Sequence, residues 1–93
     1  METLMHQINM PMPDHYFPDD AKWIQEQLTK LSPSMRQKAL VKYSEVYQTE
    51  WEREQVPYRK ANKARHEANV RLRKFVEHYQ RSMQGYTAKP LSI

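Results

Sequence analysis

The sequence predicts an all-α fold: a small three-helix arrangement dominated by a long antiparallel helical hairpin, with an extended Pro-rich N-terminal arm. Three observations carry this expectation. Apolar residues recur at steps of three and four along most of the chain. Pro33 and Pro57 each stand where one helix must stop and another can start. No strand-like alternation of useful length, hairpin dipeptide or internal repeat occurs.

The arm spans residues 1–18 and contains MPMPDHYFP. Each proline there fixes its own φ and pushes the preceding residue toward extended backbone. Tyr16 and Phe17 give the arm apolar weight to lay on the body. A single helical domain is expected over 19–85. Its first helix, about residues 20–31, has Asp19 or Asp20 as N-cap, because a short carboxylate accepts from an orphan N–H and suits the positive dipole end. Ala21, Ile24, Leu28 and Leu31 form its apolar face.

Ser32 then caps the second helix and Pro33 opens it, at a position where its missing N–H costs nothing. This helix, about 33–54, carries Met35, Ala39, Tyr43, Val46 and Tyr47 on a wide face flanked by Leu40 and Trp51. A face that wide touches two neighbours, and the aromatics at helical spacing, with Tyr79, are expected in the core. At Val56–Pro57 two outcomes stay open: a turn into a third helix, or a kink in one continuous rod that demands a homodimer partner to cover its apolar surface. The third helix, about 57–84, steps through Ala61, Ala64, Ala68, Leu72, Phe75 and Tyr79, with Gly85 as the residue after its end. A flexible tail, 86–93, follows.

Length and composition narrow the function classes. At 93 residues the chain makes one small domain, and 39% apolar against 28% charged residues imply a small core and much wet surface. Without cysteine there is no disulfide, Cys-based zinc site or thiol nucleophile. Nothing in the chain is apolar enough over a long enough run to cross a bilayer, and METLMHQINM lacks the features of a secretory signal, so a cytoplasmic protein with no membrane role is expected.

The net charge of +4 is unevenly placed. Residues 1–31 carry five acids and two bases, 32–56 four of each, and 57–93 nine bases and two acids. Within PYRKANKARHEANVRLRKF, residues 57–75, seven Lys or Arg stand against one acid. On a helical wheel with residue 59 at 0°, the apolar positions 61, 64, 68, 72, 75 and 79 fall between about 140° and 220°. Arg59, Lys63, Lys74 and Arg81 fall between about 0° and 60°, Lys60 and Arg71 near 100–120°, and Arg73 near 320°. A merely solvated face generally mixes signs to gain i,i+4 pairs, as helix two does; helix three hardly mixes at all. That imbalance points to a polyanionic partner. Arg59, Lys63, Arg71, Arg73, Lys74 and Arg81 are the expected nucleic-acid-binding residues, with Asn62 and Asn69 as hydrogen-bonding neighbours, and phosphate as the group they contact. An acidic protein surface is the other partner this charge suits. No helix-turn-helix glycine turn, zinc-finger ligand set or zipper is present, so binding is expected to be backbone-dominated and salt-sensitive.

Other chemistry reads as absent. His6, His15, His66 and His78 form no i,i+4 pair, the Asp19–Asp20 pair is better placed as a cap, the serines have no base at useful spacing, and one glycine makes no phosphate loop. No enzyme, cofactor or metal site is expected. Trp23 falls beside the apolar face of helix one, so with Tyr16 and Phe17 it either pins the arm or forms a protein-binding hot spot. That surface supports an alternative function: a protein-binding modulator, for example of a replication or recombination protein.

Two stretches, MPMPDHYFPDDAKWI and ARHEANVRLRKFV, resemble small accessory proteins of lambdoid phages and prophages. The resemblance covers most of the chain and rests on no catalytic motif. It implies an early-region helper that acts on DNA metabolism or on a host protein, and it transfers no site residue.

Overall fold

The computed structural model describes residues 10–84. Gly85 and the tail at 86–93, like residues 1–9 of the arm, lie outside the described residues. The three α-helices are α1 (Ala21–Thr29), α2 (Pro33–Arg53) and α3 (Lys60–Met83). Short 3-10 turns at Pro18–Asp20 and Pro57–Arg59 lead into α1 and α3.

Local chemistry explains most of the boundaries. Ser32 has extended backbone and its hydroxyl accepts from the Met35 N–H at 3.4 Å, with Pro33 as the first helical residue. Val56 is extended, as the residue before a proline should be, and the chain turns at Pro57 and does not run on as a rod. Helix α3 therefore starts at Lys60, three residues later than Pro57, because the proline nucleates a 3-10 turn first. Helix α1 is shorter than its apolar spacing implies: it ends at Thr29, and Leu31 is buried from the connecting turn. Arg36 secures that end, its Nε donating to the Leu28 carbonyl at 2.8 Å.

Helices α2 and α3 form an antiparallel hairpin, visible in contacts that run backward along one strand of the pair. Lys60 meets the Trp51 carbonyl, and Tyr43 meets Asn69. The core joins Ala39, Leu40, Tyr43, Val46 and Tyr47 of α2 to Ala64, Ala68, Leu72 and Val76 of α3, with Ile24 and Leu28 of α1 covering one side. Ala64 and Ala68 are fully buried, and their small side chains let the helices approach closely.

Helix α1 begins beside Arg65 and Asn69 and ends beside Arg36, so it covers the half of the hairpin away from the Pro57 turn. This placement corrects the expectation that Trp51 belongs to the core. Trp51 stacks on Tyr47 with ring centroids 6.1 Å apart, yet stays 40% exposed because no third layer reaches it. Tyr79 and Phe75 are half-buried at the core's edge.

Residues 10–17 lie along the body. Pro13 is buried, Met10 and Met12 pack on the core, and the Ser44 hydroxyl accepts from the backbone N–H groups of Asp14 at 2.8 Å and His15 at 3.3 Å. Tyr16, Phe17 and Trp23 are half-buried against the same core.

Candidate nucleic-acid interface

Helix α3 presents two kinds of cation, distinguished by what surrounds them. One set is engaged within the molecule. Arg65 falls at about 240° on the same wheel, just beyond the apolar arc read from the sequence and between buried Leu72 at about 220° and buried Val76 at about 260°. Its Nε donates to Asp20 Oδ2 at 2.9 Å and its Nη2 to Asp20 Oδ1 at 2.6 Å, a two-pronged pair. The guanidinium also lies 4.3 Å from the Phe17 ring centroid, where it holds the arm by cation–π attraction.

Asn69 completes the arrangement: its Nδ2 donates to Asp20 Oδ2 at 3.1 Å while its Oδ1 accepts from the Tyr43 hydroxyl at 2.5 Å. The chain Arg65–Asp20–Asn69–Tyr43 thus ties the turn before α1 to both long helices. The Arg65 guanidinium holds the Asp20 carboxyl below its usual range, against the opposing effect of burial and with help from Asn69. Burial, reinforced by the Asp20 charge, raises the Tyr43 phenol.

This network corrects two expectations. Asp20 does sit at the N-cap of α1, but its carboxylate makes no capping bond, because a two-pronged guanidinium 45 residues away is the stronger partner. Asn69 is occupied by Asp20 and Tyr43 and is not available to an external ligand, whereas Asn62 is exposed. Lys60 is engaged too: its ammonium donates to the Trp51 carbonyl at 3.0 Å and to the Glu54 carbonyl, closing the negative end of α2.

The other set faces water. Arg59, Lys63, Arg71, Arg73, Lys74 and Arg81 are all exposed, and among the described residues none of them pairs with a carboxylate. They occupy the arc of the wheel from about 320° through 0° to about 120°, outside the arc of buried positions, with Arg71 at its border. Arg73 lies on the flank shared with Arg65 and Asn69, and Arg71 on the opposite flank beside α2, with Lys63, Lys74 and Arg81 between. The helix is continuous from Lys60 to Met83, so Lys63 and Arg81 stand roughly 27 Å apart along one rod.

The Arg71 flank borders a groove of about 570 Å³ between α2 and α3. Ala39, Tyr43, Leu72 and Phe75 make its floor; Lys38 and Lys42 stand on the α2 bank, and Arg71, Lys74 and His78 on the α3 bank. Lys38 and Lys42 extend the cationic surface beyond α3, a feature that charge counting along helix three alone misses.

Among the described residues, no group of three or more His, Cys, Asp or Glu stands where it would hold a metal ion, and no helix is long and apolar enough to cross a membrane. No family model, curated protein or solved structure matches the chain.

Proposed function

We propose that this protein is a non-enzymatic accessory protein that binds nucleic acid through its backbone phosphates, using the outer face of α3. Arg59, Lys63, Arg71, Arg73, Lys74 and Arg81 are the contact residues, and Asn62 is a hydrogen-bonding neighbour. The observation that carries the reading is the contrast on one helix: Lys60 and Arg65 are bonded within the molecule, while these six cations are exposed and, among the described residues, pair with no carboxylate, Arg59 making only a cation–π contact with the neighbouring exposed Tyr58. Like charges so close repel, and an array of phosphates relieves that repulsion. The row Lys63, Lys74 and Arg81, about 27 Å long, suits a regular polyanion such as a duplex or an extended single strand. With the cations spread over a broad convex arc, the contacts position the protein on the backbone and read no base edge. The likeness to lambdoid phage accessory proteins is in keeping with such a helper in DNA metabolism.

The alternative surface, Tyr16, Phe17 and Trp23, packs half-buried on the core, and the Arg65 guanidinium covers Phe17. These contacts favour its role as the anchor of the arm over that of a protein-binding hot spot.

The test is a salt titration of the affinity for random-sequence duplex DNA. Six phosphate contacts give a slope of roughly −5.4 in log K against log salt, or a loss of about three orders of magnitude between 50 and 200 mM. A flat profile, or no binding at the lower salt, defeats the reading.

A further inference from the structure

The groove between α2 and α3 has properties that phosphate binding does not use. Its floor is apolar, and no carboxylate lines it. Phe75 is half-buried there, so part of its ring remains open to an incoming group. The one polar group of the floor, the Tyr43 hydroxyl, is already bonded to Asn69. Cations stand on both banks, Lys38 and Lys42 facing Arg71 and Lys74. The Lys42–Glu45 pair, at 3.8 Å between well-exposed side chains, is weak enough to give way.

We propose that this groove is a second binding site, for an acidic amphipathic helix of a partner protein. The apolar side chains of such a helix, spaced i, i+3, i+4, i+7, pack on the open face of Phe75 and over the seam formed by the nearly buried Ala39, Tyr43 and Leu72. Its carboxylates meet the lysines and arginine of the banks. Charge complementarity selects this occupant. A nucleobase in the same place leaves its hydrogen-bonding edge without partners on an apolar floor. A second copy of the chain brings its own basic α3 against these cations, which repel it. The site shares Arg71 and Lys74 with the phosphate-binding surface, so partner helix and nucleic acid compete for the protein.

The experiment uses the full chain and a synthetic helical peptide with Leu and Phe on one face and Glu on the other. Controls are a scrambled peptide of identical composition and a version with Lys in place of Glu. Binding is read by anisotropy, and the site by amide chemical shifts. The patterned acidic peptide is expected to bind at least tenfold more tightly than either control, to shift Ala39, Tyr43, Leu72 and Phe75, and to be displaced by duplex DNA. The double substitution Lys38→Glu/Lys42→Glu removes the cations of the α2 bank and is expected to weaken the peptide at least tenfold; Phe75 lies outside the proposed phosphate contacts, so DNA retention is expected to persist in Phe75→Ala. Phe75→Ala is expected to weaken the peptide similarly, with helicity by circular dichroism confirming that the variant folds. Equal binding of patterned and scrambled peptides, shifts outside the groove, tighter occupation of the groove by a single-stranded oligonucleotide, or a dimer that buries it each overturns the proposal. If DNA binding is absent but the patterned peptide binds with the same selectivity and the same shifted residues, the nucleic-acid reading falls and the groove site stands.

Discussion

The two flanks of α3 carry the same residue types and do opposite things. On the flank facing α1 and the arm, Arg65 is held by Asp20 and lies over Phe17, so its charge organises the fold. On the outer arc, Lys63, Lys74 and Arg81 point to solvent, and none of them pairs with a carboxylate among the described residues. A sequence count treats these cations alike. Their surroundings separate structural charge from charge left for a ligand, and that separation orders the expected effects of mutation.

The largest effect belongs to the outer arc. Replacing Arg71, Arg73 and Lys74 together by Glu is expected to reduce duplex affinity at low salt by two orders of magnitude or more, on the scale of several lost phosphate contacts made repulsive. The same variant is expected to unfold within about 1 kcal/mol of the parent, because exposed charges contribute little to stability. Gel retardation and urea denaturation of one preparation check both halves.

The inner flank should respond in the reverse sense. Asp20→Asn or Arg65→Ala is expected to cost about 2 kcal/mol, since either change leaves charge-assisted hydrogen bonds in a partly shielded site unmade. The nucleic-acid affinity of a folded Asp20→Asn sample is expected to stay within a few-fold of the parent.

The pH dependence follows with a definite sign. Asp20 is depressed in the folded chain, chiefly by the Arg65 bond, so its contribution is fully present above the unfolded carboxyl value near pH 4 and is lost as pH falls through the lower folded value. Tyr43 is raised, first by burial and then by the Asp20 charge, so its contribution is present below the unfolded phenol value near pH 10 and is lost as pH rises toward the folded one. Urea midpoints measured from pH 2 to 11 should fall at both ends, and Asp20→Asn should flatten the acid limb.

Smaller effects sharpen the contrast. Lys60→Ala is expected to cost about 1 kcal/mol by uncapping α2, and Ser32→Ala a similar amount at its other end. Glu45→Gln, which removes only the exposed pair with Lys42, should change stability by less than about 0.5 kcal/mol.

What the sequence made legible depended on how local the physics is. Ser32 and Pro33 act within one turn of themselves, so that helix start could be read directly. The faces through Ala64, Ala68 and Leu72, and through Ala39, Tyr43 and Val46, were legible because helix periodicity is also local. Asp20 was misread as a capping carboxylate because its actual partner lies 45 residues away, and no short-range rule weighs Arg65 against a backbone N–H. The available signal was Arg65 itself, a guanidinium at the border of the apolar arc, where a partly shielded charge needs an acid from another element. Trp51 was misplaced because its burial depends on how far α1 reaches along the hairpin, which docking decides and spacing does not. Of the interface, the α3 cations were legible as a charge asymmetry, whereas Lys38 and Lys42 join them only across the helix pair.

One measurement addresses the central distinction most directly: matched charge reversals on the two flanks, Lys63→Glu/Lys74→Glu against Arg65→Glu, each assayed for urea midpoint and for duplex affinity at 50 mM salt. The outer pair is expected to lose at least tenfold in affinity with a nearly unchanged midpoint, and the inner variant to lose stability first. An outer pair that binds DNA as the parent does, or that unfolds as readily as Arg65→Glu, would contradict the assignment of these cations to a ligand.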